Sequence, residues 1–250
     1  MVKNKSHNKT ESTKKPLAWV AGAIFVLGLA IIGGLSWSST VTVQEIQYRG
    51  NHFVSTERLK QVEVPTGISP DSMNFVDIIR RFKKLAYVKN AAANVEPNGN
   101  LSIDINERQP IAMLTDGSTK VYVDKHGIRL PKVLGKTIDV PILYGFSATP
   151  MSDTLHSESF KRVSDFLTNV HDKPVSNATI SEVAWTEKEG VVALTNQNGV
   201  KLIFGKGNYE TRLRNWEAFY GEVVKQKGIK KMRSVDLRFE GQIVTREKEI

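Results

Sequence analysis

Two places in this chain space charged residues so that chemistry could be asked of them. Glu107 and Arg108 stand just before Pro110, and Asp236 and Arg238 flank Leu237. Acid–base work needs a second ionisable group poised beside the first, and no other carboxylate is paired with Glu107 by spacing. Glu107 therefore reads as a surface charge at a strand end, where Pro110 cannot donate to a ladder. Asp236 and Arg238 alternate onto one face of a predicted strand, which suits a structural or interface ion pair. The five histidines, His7, His52, His126, His156 and His171, include no i, i+4 pair, so no helical metal site is written. None has the base-plus-orienter neighbours of a nucleophilic site. There is no cysteine, which removes disulfides, zinc–thiolate sites and a thiol nucleophile. Gly205-Lys206-Gly207 is too short for a phosphate loop, and no G-x-S-x-G elbow occurs. The basic run Arg80, Arg81, Lys83 and Lys84 around Phe82 reads as a solvated helix face. The expectation is a protein that is not an enzyme, takes no cofactor, metal or small-molecule ligand, binds no nucleic acid, and works by contact.

The elements that would position such contacts follow from periodicity. Residues 41–49 alternate as a strand, and Ser55 or Thr56 caps a short helix ended by Pro65 and Gly67. Residues 71–85 place Phe75, Ile78, Ile79, Phe82 and Leu85 on one helical face. Residues 88–95 and 101–105 form a hairpin around 97–100. The order is β-α-α-β-β, with helices covering one face of a small sheet. Beyond it, 121–123 and 128–130 flank a turn, and 131–156 reads as loop. A helix at 157–171, strands at 179–186, 190–196 and 200–204, a helix at 208–227, and strands at 233–239 and 242–245 complete the chain. The long helix carries Tyr209, Leu213, Trp216, Tyr220 and Val223 as its apolar face. The fold class is α+β, and the second unit is a mainly antiparallel β-domain with helices on one side.

Residues 17–37 carry no charge over a length that, as a helix, spans about 31 Å against a hydrocarbon core of roughly 30 Å. A cleaved signal peptide would have an apolar stretch of about 7–15 residues and a small-residue cleavage site, which Trp37 interrupts. Lys3, Lys5, Lys9, Lys14 and Lys15 precede the segment against one Glu11, so the positive-inside rule places residues 1–16 in the cytoplasm. Trp19 and Trp37 sit near the two ends, at headgroup level. This tail contributes to the net charge of +9, and the rest is spread thinly. At 40% hydrophobic and 24% charged, the remainder is a core-forming exterior part rather than a disordered one. The division is a cytoplasmic tail at 1–16, a single transmembrane helix at 17–37, a first domain at 41–110 and a second at 111–246. On a chain without catalytic clusters, the final strand is the best contact surface: an edge strand accepts a partner strand, and the charges at 246–249 act as a stop.

At these residues the chain resembles the bacterial cell-division family FtsQ/DivIB. The match at 95–112 runs through Pro97, Leu101, Ile103, Ile105, Glu107, Pro110 and Ala112. It departs by Glu96 in place of an aromatic and by one extra residue before Leu101. Further matches are Val123-Asp124 with Gly127, residues 141–145, and residues 234–239, Ser-Val-Asp-Leu-Arg-Phe. The resemblance implies that the β-α-α-β-β unit is a POTRA domain. It implies an essential-type divisome scaffold linking early and late division proteins at the septum. The protein would sit in the bacterial inner membrane, single-pass and type II, with its bulk periplasmic. Its partners would be the coiled-coil division proteins FtsB and FtsL, together with other divisome membrane proteins. The family's binding edge maps onto Arg238, Phe239, Gly241, Ile243, Val244 and Arg246, and a proline at Val244 is expected to block it. An alternative is a POTRA-containing envelope assembly or secretion component, which would need a C-terminal barrel of many strands. A cell-wall enzyme would need a pocket with two convergent ionisable groups.

Overall fold

The computed structural model describes residues 15–38, 42–149 and 154–248. Helix α1, Lys15–Ser38, runs for 24 residues, about 36 Å of helix. Its described side chains, residues 19–32, are almost all exposed, with Trp19 at 82% and Phe25 at 68%. That described stretch alone is shorter than the roughly 20 residues of a span, and among the described residues no helix is long and apolar enough to cross a membrane. The lysine tail before Lys15 lies outside the described residues.

The first sheet has three strands, β1 (Ile46–Arg49), β2 (Val88–Val95) and β3 (Leu101–Glu107), ordered β1-β3-β2. β1 runs parallel and β2 antiparallel to the central β3. Strand β1 starts at Ile46, later than the alternation from 41 suggests, because Val43 instead bonds Gly67 and Ile68 through its backbone. Ser55 caps α2 (Thr56–Lys60) and Asn74 caps α3 (Phe75–Phe82), each accepting from a first-turn amide. The segment before Asn74 is a 3-10 turn, Pro70–Ser72, so the second helix is shorter than predicted. Leu59, Ile78, Phe82, Ile103 and Ile105 close this core.

Glu107 overturns its expectation. It is buried, and its carboxylate accepts from the amides of His52 (2.8 Å), Phe53 (2.7 Å) and Val54 (2.7 Å). It is neither a surface charge nor an acid facing a substrate; it is the bracket that shapes the loop before α2.

The second sheet has nine strands: β4 (Pro110–Asp116), β5 (Thr119–Asp124), β6 (Arg129–Leu130), β7 (Ile142–Tyr144), β8 (Ile180–Thr186), β9 (Gly190–Thr195), β10 (Lys201–Gly205), β11 (Met232–Asp236) and β12 (Val244–Glu247). Their order is β12-β11-β10-β9-β8-β7-β4-β5-β6. Five pairings are antiparallel, and β4–β7, β7–β8 and β10–β11 are parallel. Strand β7 lies in the stretch expected to be loop, and it bridges the two halves of the sheet. Helices α4 (Glu158–His171), α5 (Pro174–Thr179) and α6 (Tyr209–Phe219) pack on one face, where Leu114, Val123, Leu143, Val183, Ala193, Leu202 and Val235 alternate inward. Trp216 is fully buried there, and its Nε1–H donates to Thr179 Oγ1 at 3.1 Å. Tyr122 and Leu130, on the opposite face, join the core of the first sheet. The Tyr87 hydroxyl donates to Pro131 O at 2.7 Å across the same junction. Burial, then the charges of Tyr122 and Glu107, push Tyr87 up to about 12, so it stays a protonated donor.

After Phe219 the helix widens into a π turn, Tyr220–Val224, and closes as α7, Lys225–Lys227. The extra residue in that turn shifts the apolar phase by one position. Val224 is buried at 6% exposure where the heptad-like spacing expects Val223. Val224→Ala is expected to cost about 2 kcal/mol for the buried methyls removed, and Val223→Ala less than about 0.5 kcal/mol. Urea unfolding midpoints measure both, and the reverse order would reject the shifted phase.

Candidate functional site

The free edge of the large sheet is β12, paired on one side to β11 through Asp236↔Val244, Val235↔Thr245 and Ser234↔Arg246. The Lys248 amide donates to Lys231 O at 2.9 Å. Alternation along an antiparallel ladder then turns the amides of Val244 and Arg246 toward β11. Those of Thr245 and Glu247 point to the open side. A proline at Val244 would break the strand's own ladder, so Thr245 is the position that tests the outer edge. Arg246 and Glu247, expected as a charged stop, lie inside the strand, where an edge exposed on both faces tolerates charge.

The turn that delivers the chain to β12 is built around one ion pair. Leu237, buried at 1%, extends the β10–β11 pairing by donating to Ile203 O at 3.0 Å. The Asp236 carboxylate then accepts from Arg238 Nε (2.9 Å), from an Arg238 terminal nitrogen (2.6 Å) and from the Arg238 amide (3.1 Å). Arg238 thus sits beyond the strand end, folded back onto Asp236. Its guanidinium lies 5.9 Å from the Phe239 ring centroid, a cation–π spacing that holds an aromatic exposed at 45%. The Arg238 stem crosses Gly205, where a Cβ would meet Arg238 Cγ at 3.1 Å and Arg212 at 2.7 Å. Gly241, at φ +71°, supplies the left-handed residue of the turn.

Burial alone would raise the Asp236 carboxyl. The hydrogen bonds and charge of Arg238, with the charge of Arg246, outweigh it and hold the carboxyl below its ordinary 3.8. A depressed carboxyl stabilises the fold above its unfolded value, and that contribution is lost as pH falls through the folded one. The unfolding midpoint of the full chain is therefore expected to drop as pH is lowered from about 5 to about 3. Asp236→Asn should flatten that limb, and an unchanged limb in the variant would reject the clasp.

The six expected site residues divide between two surfaces. Arg238, Phe239, Gly241 and Ile243 line a groove of about 760 Å³ together with Phe219, Glu222 and Val223 of the helix. Val244 and Arg246 project from the other sheet face, since they pair with Asp236 and Ser234 rather than with the inward Val235. The helix residues of the groove were not foreseen, because a regular 3.6-residue period turns Val223 inward. Asp236 was seen only as half of a pair. The arrangement offers two free strand amides, an exposed aromatic beside a groove, and an arginine already neutralised by its clasp. Among the described residues no group of three His, Cys, Asp or Glu side chains could hold a metal ion.

An open mixed sheet ending in an unpaired strand defines a class of binding modules that act through a sheet edge. The family model described as FtsQ/DivIB, C-terminal related, matches residues 109–246, more than half the chain, and the chain belongs to that family. A cell division protein FtsQ of Salinibacter ruber (strain DSM 13855 / M31) is 27% identical over 242 residues, covering 91% of this chain and 92% of the relative. One of Rhodothermus marinus (strain ATCC 43812 / DSM 4252 / R-10) is 28% identical over 248 residues, covering 96% and 89%. Among solved structures, the major extracytoplasmic domain of the trans isomer of the cell division protein DivIB from Geobacillus stearothermophilus aligns with a TM-score of 0.33 at 19% identity. It covers 48% of this chain and 97% of that one.

Proposed function

We propose that this chain is a non-catalytic, membrane-anchored cell-division scaffold. It captures coiled-coil division partners of the FtsB and FtsL kind on the edge of its large sheet. The observation that carries this reading is β12: an unpaired edge beside a groove, inside the segment that matches the family model, in a chain whose relatives are named cell division proteins. Residues 41–110 are proposed as a POTRA domain and 111–246 as the partner-binding domain. Helix α1 serves as the anchor: its 24 residues exceed the hydrocarbon thickness, and its exposed Ile24, Phe25, Leu27 and Ile32 have no protein core to cover them. The lysine tail then lies in the cytoplasm and the sheets in the periplasm. An open sheet with helices on one face does not favour the alternative of a barrel-assembly component. A fluorescent fusion of the full chain is expected to concentrate at the septum of dividing cells. Uniform envelope fluorescence would reject the proposal.

A further inference from the structure

A second recess lies at the junction of the two sheets, far along the strand order from β12. It is a cleft of about 450 Å³, within the range of sites that hold a small ligand or a few peptide residues. Its floor is apolar: Ile111 and Pro141 on one side, Ile138 and Val140 beside them, Leu167 and Val170 of α4 across. Its rim is ionisable, and the acids are mostly spent. Glu107 gives both oxygens to three loop amides. Asp124 accepts from Arg108 at 2.9 Å and from the amides of His126 and Ile128 at 2.9 Å each, and its side chain is 3% exposed. Lys89, Lys125, His126 and His171 are exposed on the rim and engaged in no salt bridge among the described residues, against one such carboxylate, Asp139. The uncommitted charge of the cleft is therefore positive. The carboxamides of Asn106, Gln109 and Asn177 also face it, and they can both donate to and accept from a peptide backbone.

We propose that this cleft binds a short acidic segment of a partner protein, with an apolar side chain on the floor and a carboxylate between Lys89 and Lys125. A second copy of this chain, at net charge +9, fits such a rim poorly. The site is separate from the β12 edge and does not depend on it.

The probe is a fluorescein-labelled peptide alternating Leu and Glu, titrated onto the full chain in zwitterionic nanodiscs, with an alternating Leu and Lys peptide as comparison. The Glu peptide is expected to bind saturably, and the Lys peptide at least tenfold more weakly. Lys89→Glu with Lys125→Glu should lower the affinity for the Glu peptide at least tenfold. Asn177→Trp, which places bulk at an exposed position on the cleft mouth, should do the same by exclusion. Thr245→Pro should leave binding unchanged. Equal binding of both peptides, or indifference to the paired lysine change and to Asn177→Trp, would overturn the proposal. So would loss of binding in Thr245→Pro, which would assign the peptide to the sheet edge.

Discussion

Thr245→Pro is expected to abolish capture of the coiled-coil partner while leaving the chain folded. The substitution removes one N–H, and alternation along the ladder turns that N–H away from β11. Proline is tolerated on edge strands with the missing amide facing outward, so the intramolecular ladder survives. An added partner strand loses a hydrogen bond and meets the ring where its backbone should lie. A loss of about 100-fold in affinity, ~2.8 kcal/mol, is the expected scale. The measurement is co-purification and titration of the full chain with the membrane-embedded partner, with melting temperature as the fold control. Thr245→Val keeps the N–H and should bind normally. Phe239→Ala should also weaken capture, by about 2 kcal/mol if this exposed ring is an interface anchor. Normal affinity in folded Thr245→Pro would mean that the partner does not add a strand here.

The legibility of this site in the sequence was uneven for reasons that lie in the residues. The last strands were readable because 233–239 alternates and Gly241 breaks it. Their boundaries were not, because Arg246 and Glu247 look like a terminator while an edge strand is free to carry charge. Strand β7 has three residues, Ile142–Tyr144, too few to show a period of two; it is a strand because β4 and β8 template it on both sides. Strand β4 was masked by Pro110, which stands at its first position, where a missing amide costs least. The π turn after Phe219 has no signature in apolar spacing, so the groove-lining face of the helix was out of reach. The helices of the first unit were legible to within a turn, since their caps, Ser55 and Asn74, are local chemistry. Long-range pairings such as Glu107 with residues 52–54 leave no local trace, and that is where the sequence reading was furthest from the structure.

Glu107→Ala is expected to cost on the order of 4 kcal/mol, among the largest effects available to one substitution outside the apolar core. The carboxylate satisfies three amides at once, and Phe53 and Val54 are each only 8% exposed, so water cannot readily replace it. An unpaired buried donor costs about 1–3 kcal/mol, and three partly relaxed ones sum to the figure above. Glu107→Gln should cost roughly half as much. Its one carbonyl oxygen can take the pair of amides now on Oε2, but its NH₂ then faces the Val54 N–H. The consequence also reaches the second sheet. Phe53 packs on Tyr87 with ring centroids 4.9 Å apart, the Arg108 amide donates to Tyr87 O at 2.7 Å, and the Tyr87 hydroxyl bonds Pro131. Loosening residues 52–54 therefore loosens the contact that joins the two sheets. Hydrogen exchange should show protection lost at residues 52–54 first and at the Arg108 amide next, with strands β8–β10 unaffected. Urea unfolding gives the energy. A Glu107→Ala variant within about 1 kcal/mol of the parent, with residues 52–54 still protected, would show that the loop holds itself and that the carboxylate is incidental.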